Sequence, residues 1–249
     1  MNIHFPLAHL SAFVQAYDQS DFFGKLVILG LVSLSALCWV LLLYKIWITR
    51  QVQGISKIFH QACLKHKDQL LHMELAHLPK PQNTYVPHPF AKIFLSLKNK
   101  TVEILNKNMY FSQKDPEKVY LSGADLEIIE SFVLTTISSQ AKALEKNLYI
   151  LSTIVTLGPF LGLLGTVWGI LITFAELHSG GTAGSNTAVL GGLSTALATT
   201  VLGLVIAIPA LVAYNYLKTA IRNYASDMED FLYELLSSIE LQYRRADVG

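Results

Sequence analysis

The chain has 249 residues, of which 52% are hydrophobic and only 15% charged, and its mean hydropathy is +0.40; so few charges cannot clothe a soluble domain, which excludes a soluble monomer as the expected class. Nineteen basic against eighteen acidic residues leave a formal charge of +1, without the basic excess on which nucleic-acid binders rely. Cys38 in an apolar run and Cys63 in a polar stretch are the two cysteines, too few for a disulfide framework or a zinc ribbon.

Crossing the bilayer core takes about 20 helical residues. The N-terminal arm, 1–24, has no Lys or Arg; it lacks the basic start of a cleaved leader, so the first apolar stretch is expected to be retained. Lys25 and Lys45 bracket nineteen uncharged residues, with Trp39, Tyr44 and Trp47 toward one end as an interfacial belt requires. This places a first membrane helix at 25–48. The region 49–146 is too polar to span. Pro79, Pro81, Pro87 and Pro89 divide it, which predicts helices on both sides of the proline stretch. From Gly123, the residues Leu126, Ile129, Phe132 or Val133, Thr136 or Ile137, Ala141 and Leu144 recur at helical spacing with no breaker before Gly158. The second membrane helix is therefore expected to start well inside the cytoplasm.

Lys146 and Glu176 bracket twenty-nine uncharged residues, and no Asp, Glu, Lys or Arg lies between Glu176 and Lys218. The second span falls at 147–176, a Gly-rich turn at 177–188 and the third span at 189–217. In the tail, 218–249, Ile221, Tyr224, Met228, Phe231, Leu235 and Ile239 follow at steps of three or four, opposite Asp227, Asp230, Glu234 and Arg244. That pattern is an amphipathic helix whose apolar face needs a partner, expected among the cytoplasmic helices.

Eleven of the 19 basic residues lie within 51–145, with Lys45, Arg50 and Lys146 at the margins, and four follow the third span. Because basic loops stay in the cytoplasm, 49–146 and the tail are expected inside, and the N-terminus and the 177–188 turn outside. The fold class is thus an all-α membrane protein with three transmembrane helices and long helices reaching into the cytoplasm.

Few residues offer chemistry. His60, Cys63 and His66 form HxxCxxH with His72 nearby, but six helical residues turn about 600° and carry His66 off the face of His60. No dense four-ligand set follows, so a solvated helix face is expected and no metal or other cofactor. No nucleophile set or phosphate loop is present, which removes an enzyme reading. Spans two and three are instead rich in small and hydroxyl residues. Gly158, Gly162, Gly165, Thr166, Gly169 and Thr173 share one face of span two. On span three, Gly192, Thr195, Ala196, Thr199, Thr200, Gly203, Ala207 and Ala210 do the same. Small residues let helix backbones approach closely, and threonine hydroxyls either return to their own backbone or line a polar seam. Thr166, Thr195, Thr199 and Thr200 are the candidates for such a seam; Gly158, Gly162, Gly165, Gly169 and Gly203 are the candidates for close packing. No Asp, Glu, His, Lys or Arg lies within 26–44, 147–175 or 189–217, so any proton relay at depth needs a titratable group from a partner.

Residues 158–170 read GPFLGLLGTVWGI, and 192–204 read GLSTALATTVLGL, followed by AIPA at 207–210 and AYN at 213–215. These strings, roughly a quarter of the chain, resemble the second and third spans of the MotA/TolQ/ExbB proton-channel family, and three spans match its TolQ/ExbB branch. The resemblance implies a homo-oligomeric subunit, typically a pentamer, in the bacterial inner membrane. Such a subunit surrounds the membrane helices of an ExbD- or TolR-like partner whose aspartate takes up the proton. A TonB- or TolA-like protein then carries the resulting motion outward, for outer-membrane transport or envelope maintenance. By the same resemblance Thr166 and Thr200 match the threonines associated with the proton path. Thr195 stands where TolQ and ExbB proteins usually carry a glutamate. The alternative expectation is a non-conducting scaffold that uses the same helix packing.

Overall fold

The computed structural model describes residues 14, 17–18, 20–65, 71, 86–111, 120–178 and 185–243; side chains of 111 and 185–188 are outside that description. Five helices are formed there: α1 Phe22–Leu64, α2 Pro89–Phe111, α3 Gly123–Glu145, α4 Leu148–His178 and α5 Ser185–Tyr243. Three of them, α1, α4 and the Val189–Tyr243 part of α5, are long and apolar enough to cross a membrane. The His66 and His72 positions, Pro79 to Pro81, most of the 1–24 arm, the middle of the 177–188 turn and Arg244 lie outside the described residues.

The chain divides into two compact units, one comprising 1–44 with 147–216 and the other 45–146 with 217–249. In the first, Val27, Leu31, Cys38 and Leu42 of α1 are buried, while Leu26, Leu29, Val32, Val40 and Leu43 on its other faces are exposed. Such a surplus of outward apolar side chains suits a helix surrounded by lipid rather than water. Helices α4 and α5 meet through small residues instead, burying Gly158, Gly162 and Gly165 on one side and Ala196, Ala207 and Ala210 on the other.

The second unit has an ordinary close-packed core. Phe59 of α1, Phe90 and Phe94 of α2 and Phe231 of α5 interleave, with Phe90 and Phe231 stacked at 4.6 Å between centroids and Phe59 edge-on to Phe94 and Phe231. The tail stripe Ile221, Tyr224, Met228, Phe231, Leu235 and Ile239 is buried throughout. Its partners are the helices of the polar region, as Ser56 and Tyr224 joined at 2.6 Å illustrate. Helix α3 starts where its sequence predicts. The Ser122 side chain accepts the Asp125 backbone N–H at 3.2 Å and the Asp125 carboxylate accepts the Ser122 N–H at 2.9 Å, a reciprocal cap. Asn108 adds a third bond to that carboxylate at 3.0 Å.

The third apolar stretch and the tail run on as one helix, α5, and the first stretch likewise runs on to Leu64. Conversely, the helix expected to continue from Gly123 through the second span is broken. Lys146 turns extended (φ −50°, ψ 132°) and Asn147 adopts φ 67°, so α4 begins only at Leu148. Asparagine tolerates this left-handed conformation better than most residues. The Lys45 ammonium donates to the Leu144 carbonyl at 2.8 Å, satisfying one of the acceptors that the end of α3 leaves open.

Candidate functional site

The site is built where α4 and α5 lie backbone to backbone. A side chain on Gly162 would put its Cβ 2.9 Å from the Thr199 carbonyl oxygen and 3.0 Å from the Thr200 Cα. One on Gly158 would meet the Gly203 carbonyl at 3.2 Å, and one on Gly169 the Ala196 methyl at 2.8 Å. At Gly165 the obstacle is a side chain: the Thr199 hydroxyl would sit at 2.5 Å. Glycine at these positions therefore sets the interhelical distance, and that distance lets short threonine side chains reach across.

Thr166 and Thr200 do so directly, with their hydroxyl oxygens 2.6 Å apart. Thr166 Oγ1 also lies 2.9 Å from the Leu163 carbonyl and 3.1 Å from that of Gly162, and Thr200 Oγ1 lies 3.0 Å from the Gly162 carbonyl. Thr199, buried, has the Ala196 carbonyl at 2.7 Å and Gly162 at 3.2 Å. Three hydroxyls thus converge on the carbonyl of Gly162. Thr195 does not join them: it donates to Gly191 at 2.8 Å, within its own helix. Thr173 returns in the same way to Gly169 at 2.8 Å, against Gly192.

Beside this seam a cavity of about 400 Å³ is lined by residues of α1, α4 and α5, Thr195 and Thr199 among them. It brings in two acids that the sequence pattern did not single out, Asp21 and Glu176. Asp21 caps α1 by accepting the Gly24 N–H at 2.9 Å on one carboxylate oxygen, and accepts the Trp168 indole N–H at 2.8 Å on the other. Phe23 packs on the same indole with centroids 4.3 Å apart. Partial burial pushes the Asp21 carboxyl up, but bonds from Trp168 and from the backbone of Gly24 and Phe23 outweigh it and hold the group below the ordinary carboxylate value. The signal for Asp21 was its place as an acidic cap one turn before the first apolar run; nothing local pairs it with a tryptophan 147 residues away.

Of the HxxCxxH residues, His60 pairs with Glu234 at 2.6 Å, and Cys63 is fully buried. Among the described residues no group of three or more His, Cys, Asp or Glu is placed to hold a metal.

Residues 100–230 match the MotA/TolQ/ExbB proton channel family. The chain belongs to that family. It is therefore a multi-pass membrane protein of a family of channel proteins, not enzymes. Similar to it are the biopolymer transport protein ExbB of Aquifex aeolicus (strain VF5), 41% identical over 99 residues covering 40% of this chain and 66% of that protein, and ExbB of Pseudomonas putida, 28% identical over 228 residues covering 88% and 61%. The Tol-Pal system protein TolQ of Haemophilus influenzae (strain ATCC 51907 / DSM 11121 / KW20 / Rd) is 35% identical over 103 residues, 41% of this chain and 45% of that protein. The chain thus spans less than two thirds of the length of each of these relatives.

Proposed function

We propose that this protein is the ring-forming subunit of an inner-membrane proton-driven motor, with Thr166 and Thr200 in the proton path. The observation that carries the reading is the 2.6 Å contact between these hydroxyls across α4 and α5, in stretches that contain no titratable residue. Neutral hydroxyls pass and orient protons but do not store them, so the storing group belongs to a partner. An ExbD- or TolR-like single-span protein with a membrane aspartate has the required chemistry. Several copies of this chain, five by family resemblance, surround it, and a TonB- or TolA-like protein transmits the motion to the outer membrane. The spans are 25–48, 147–176 and 189–217. The distribution of basic residues supports an external N-terminal arm and 177–188 turn, with 49–146 and the tail from 218 in the cytoplasm. Thr195 and Thr199 flank the path, and Gly158, Gly162, Gly165, Gly169 and Gly203 hold the two helices at the distance it needs.

One observation favours a scaffold instead: Thr173, Thr195 and Thr199 each return a hydroxyl to their own helix, as packing alone would explain. Thr166→Val and Thr200→Val separate the two readings, since valine keeps the shape and removes the hydroxyl. In the complex with its aspartate-bearing partner, each variant is expected to assemble normally. Each is expected to lower proton flux by about tenfold, the rate equivalent of roughly one hydrogen bond of 1.4 kcal/mol. Full flux in the double valine variant removes both threonines from the path.

A further inference from the structure

The cavity beside the seam has an unusual balance of hydrogen-bonding groups. Its polar lining includes Ser20, Thr173, Thr195 and Thr199 together with the carboxylates of Asp21 and Glu176. Each of the three threonines has a backbone carbonyl of its own helix as a near partner for its single O–H, so what remains toward the cavity is oxygen lone pairs. The Trp168 N–H, also in the lining, is taken by Asp21. The carboxylates add acceptor oxygens and negative charge. Ile172 and Ala196 are the aliphatic members of the wall, and five glycines expose backbone in place of side chains. Among the described lining residues an anion finds no Lys, Arg or His to donate to it. A described lining whose formal charges are both carboxylates suits a cationic species that donates, and about 400 Å³ has room for on the order of a dozen waters at roughly 30 Å³ each.

We propose that this cavity is a hydrated vestibule within a single copy of the chain, admitting small cations, hydronium among them, past Asp21 and Glu176 toward the Thr166–Thr200 pair. Thr199 and Gly165 connect the two: both line the cavity, and Thr199 shares the Gly162 carbonyl with Thr166 and Thr200. Asp21 acts as a positioning residue as well as a charge, because its bonds to Gly24 and Trp168 tie the start of α1 to α4 at the rim. The direction of use, from outside inward, rests on the proton-channel reading above; the hydration and charge preference of the cavity do not.

The test uses the full chain in native membranes with its partner. Thr195→Cys places a thiol in the wall, and Ile172→Cys provides a second position should the first fail to fold. Wild type, whose Cys38 and Cys63 are buried, gives the background, and Leu204→Cys an exposed apolar control. Membrane-impermeant cationic and anionic methanethiosulfonates are applied from outside. The cationic reagent is expected to modify the lining thiols on the order of tenfold faster than the anionic one, after correction for their reactivity with a free thiol, as charge focusing in a cleft predicts. Asp21→Asn combined with Glu176→Gln is expected to abolish that preference without closing access. Cationic modification is expected to cut proton flux through the complex. Lining thiols no more reactive than Leu204→Cys overturn the vestibule; an equal rate for both reagents overturns its cation preference; unchanged flux after complete modification overturns its connection to the threonine pair. An unmodified complex that conducts no protons overturns the channel reading instead, whatever the labelling shows.

Discussion

Gly162 offers the sharpest test of how α4 and α5 are held. A methyl group there would meet backbone, 2.9 Å from the Thr199 carbonyl oxygen and 3.0 Å from the Thr200 Cα, about 0.5 Å inside ordinary contact at 3.4 Å. Backbone cannot rotate away, so Gly162→Ala must push the helices apart. Overpacking of this kind costs about 1–3 kcal/mol. The better helix propensity of alanine offsets about 1 kcal/mol, and displacement weakens the hydroxyl bonds to the Gly162 carbonyl. A net loss of about 1–2 kcal/mol follows, or roughly 2–8 °C in Tm for a chain of this size. Gly30 is the internal control, since a Cβ there meets nothing within 4 Å, and Gly30→Ala is expected to leave Tm unchanged or raise it slightly. Gly165 separates backbone from side-chain contact. Its obstacle is the Thr199 side chain, Cβ included at 2.8 Å, so Thr199→Gly is expected to rescue Gly165→Ala but not Gly162→Ala in a double-mutant cycle. The assay is thermal unfolding of the purified protein in detergent. Equal melting for Gly162→Ala and Gly30→Ala, or rescue of Gly162→Ala by Thr199→Gly, refutes the backbone-contact argument.

Burial pushes the Cys63 thiol up to about 12, leaving a thiolate fraction on the order of one in ten thousand at pH 8. Maleimide labelling at Cys63 is expected to require denaturant, and rapid labelling of the native protein would show that the core around Phe59 is open. At the cap of α3, partial burial pushes the Asp125 carboxyl up, but bonds from Ser122 and Asn108, with Lys107 nearby, outweigh it and hold the group low. Its stabilisation is therefore present above the unfolded value near about 4 and is lost as pH falls through the folded value. Asp125→Asn is expected to flatten the decline in Tm between about pH 5 and 3, and Ser122→Ala to cost about 1 kcal/mol at neutral pH; an Asp125→Asn profile parallel to wild type contradicts the cap assignment.

The features legible in the sequence are those set by periodicity over several turns. The tail stripe from Ile221 to Ile239 marks a buried face because six residues at helical spacing agree, and the glycine and threonine faces of α4 and α5 stand out for the same reason. What escaped depends on single residues and distant partners. Asn147 looks like any helical residue between Lys146 and Leu148, and its positive φ shows only once α3 and α4 have formed as separate helices. Lys45 reads as a flanking charge, whereas it caps a helix 99 residues away. The sequence pattern does not single out Asp21 at all, and its bond to Trp168 has no local trace. The threonine seam was visible as a composition bias; the selection of Thr166 with Thr200 from the several hydroxyls nearby is a matter of interhelical register, which no spacing rule fixes.

That register has a consequence in proton count. Thr166 and Thr200 each carry one O–H. In one arrangement Thr200 donates to the Gly162 carbonyl and Thr166 donates to Thr200; in the other Thr166 donates to the Leu163 carbonyl and Thr200 donates to Thr166. The two differ by hydroxyl rotation alone, with no heavy atom moved, so the direction of the pair reverses on the timescale of a side-chain rotor. In neither arrangement is an O–H left over, and both leave lone pairs open. A partner carboxyl group reaching the pair in its protonated form therefore finds an acceptor at once. An ionised carboxylate finds a donor only if one existing bond is given up, at about 1 kcal/mol. In the proposed complex this asymmetry favours the neutral acid beside the threonines, which is also the form that crosses a low-dielectric region most cheaply. Replacing the partner aspartate by asparagine, which brings a permanent N–H donor, should then hold the complex in the docked, proton-loaded geometry while abolishing flux, and Thr166→Val with Thr200→Val should release it.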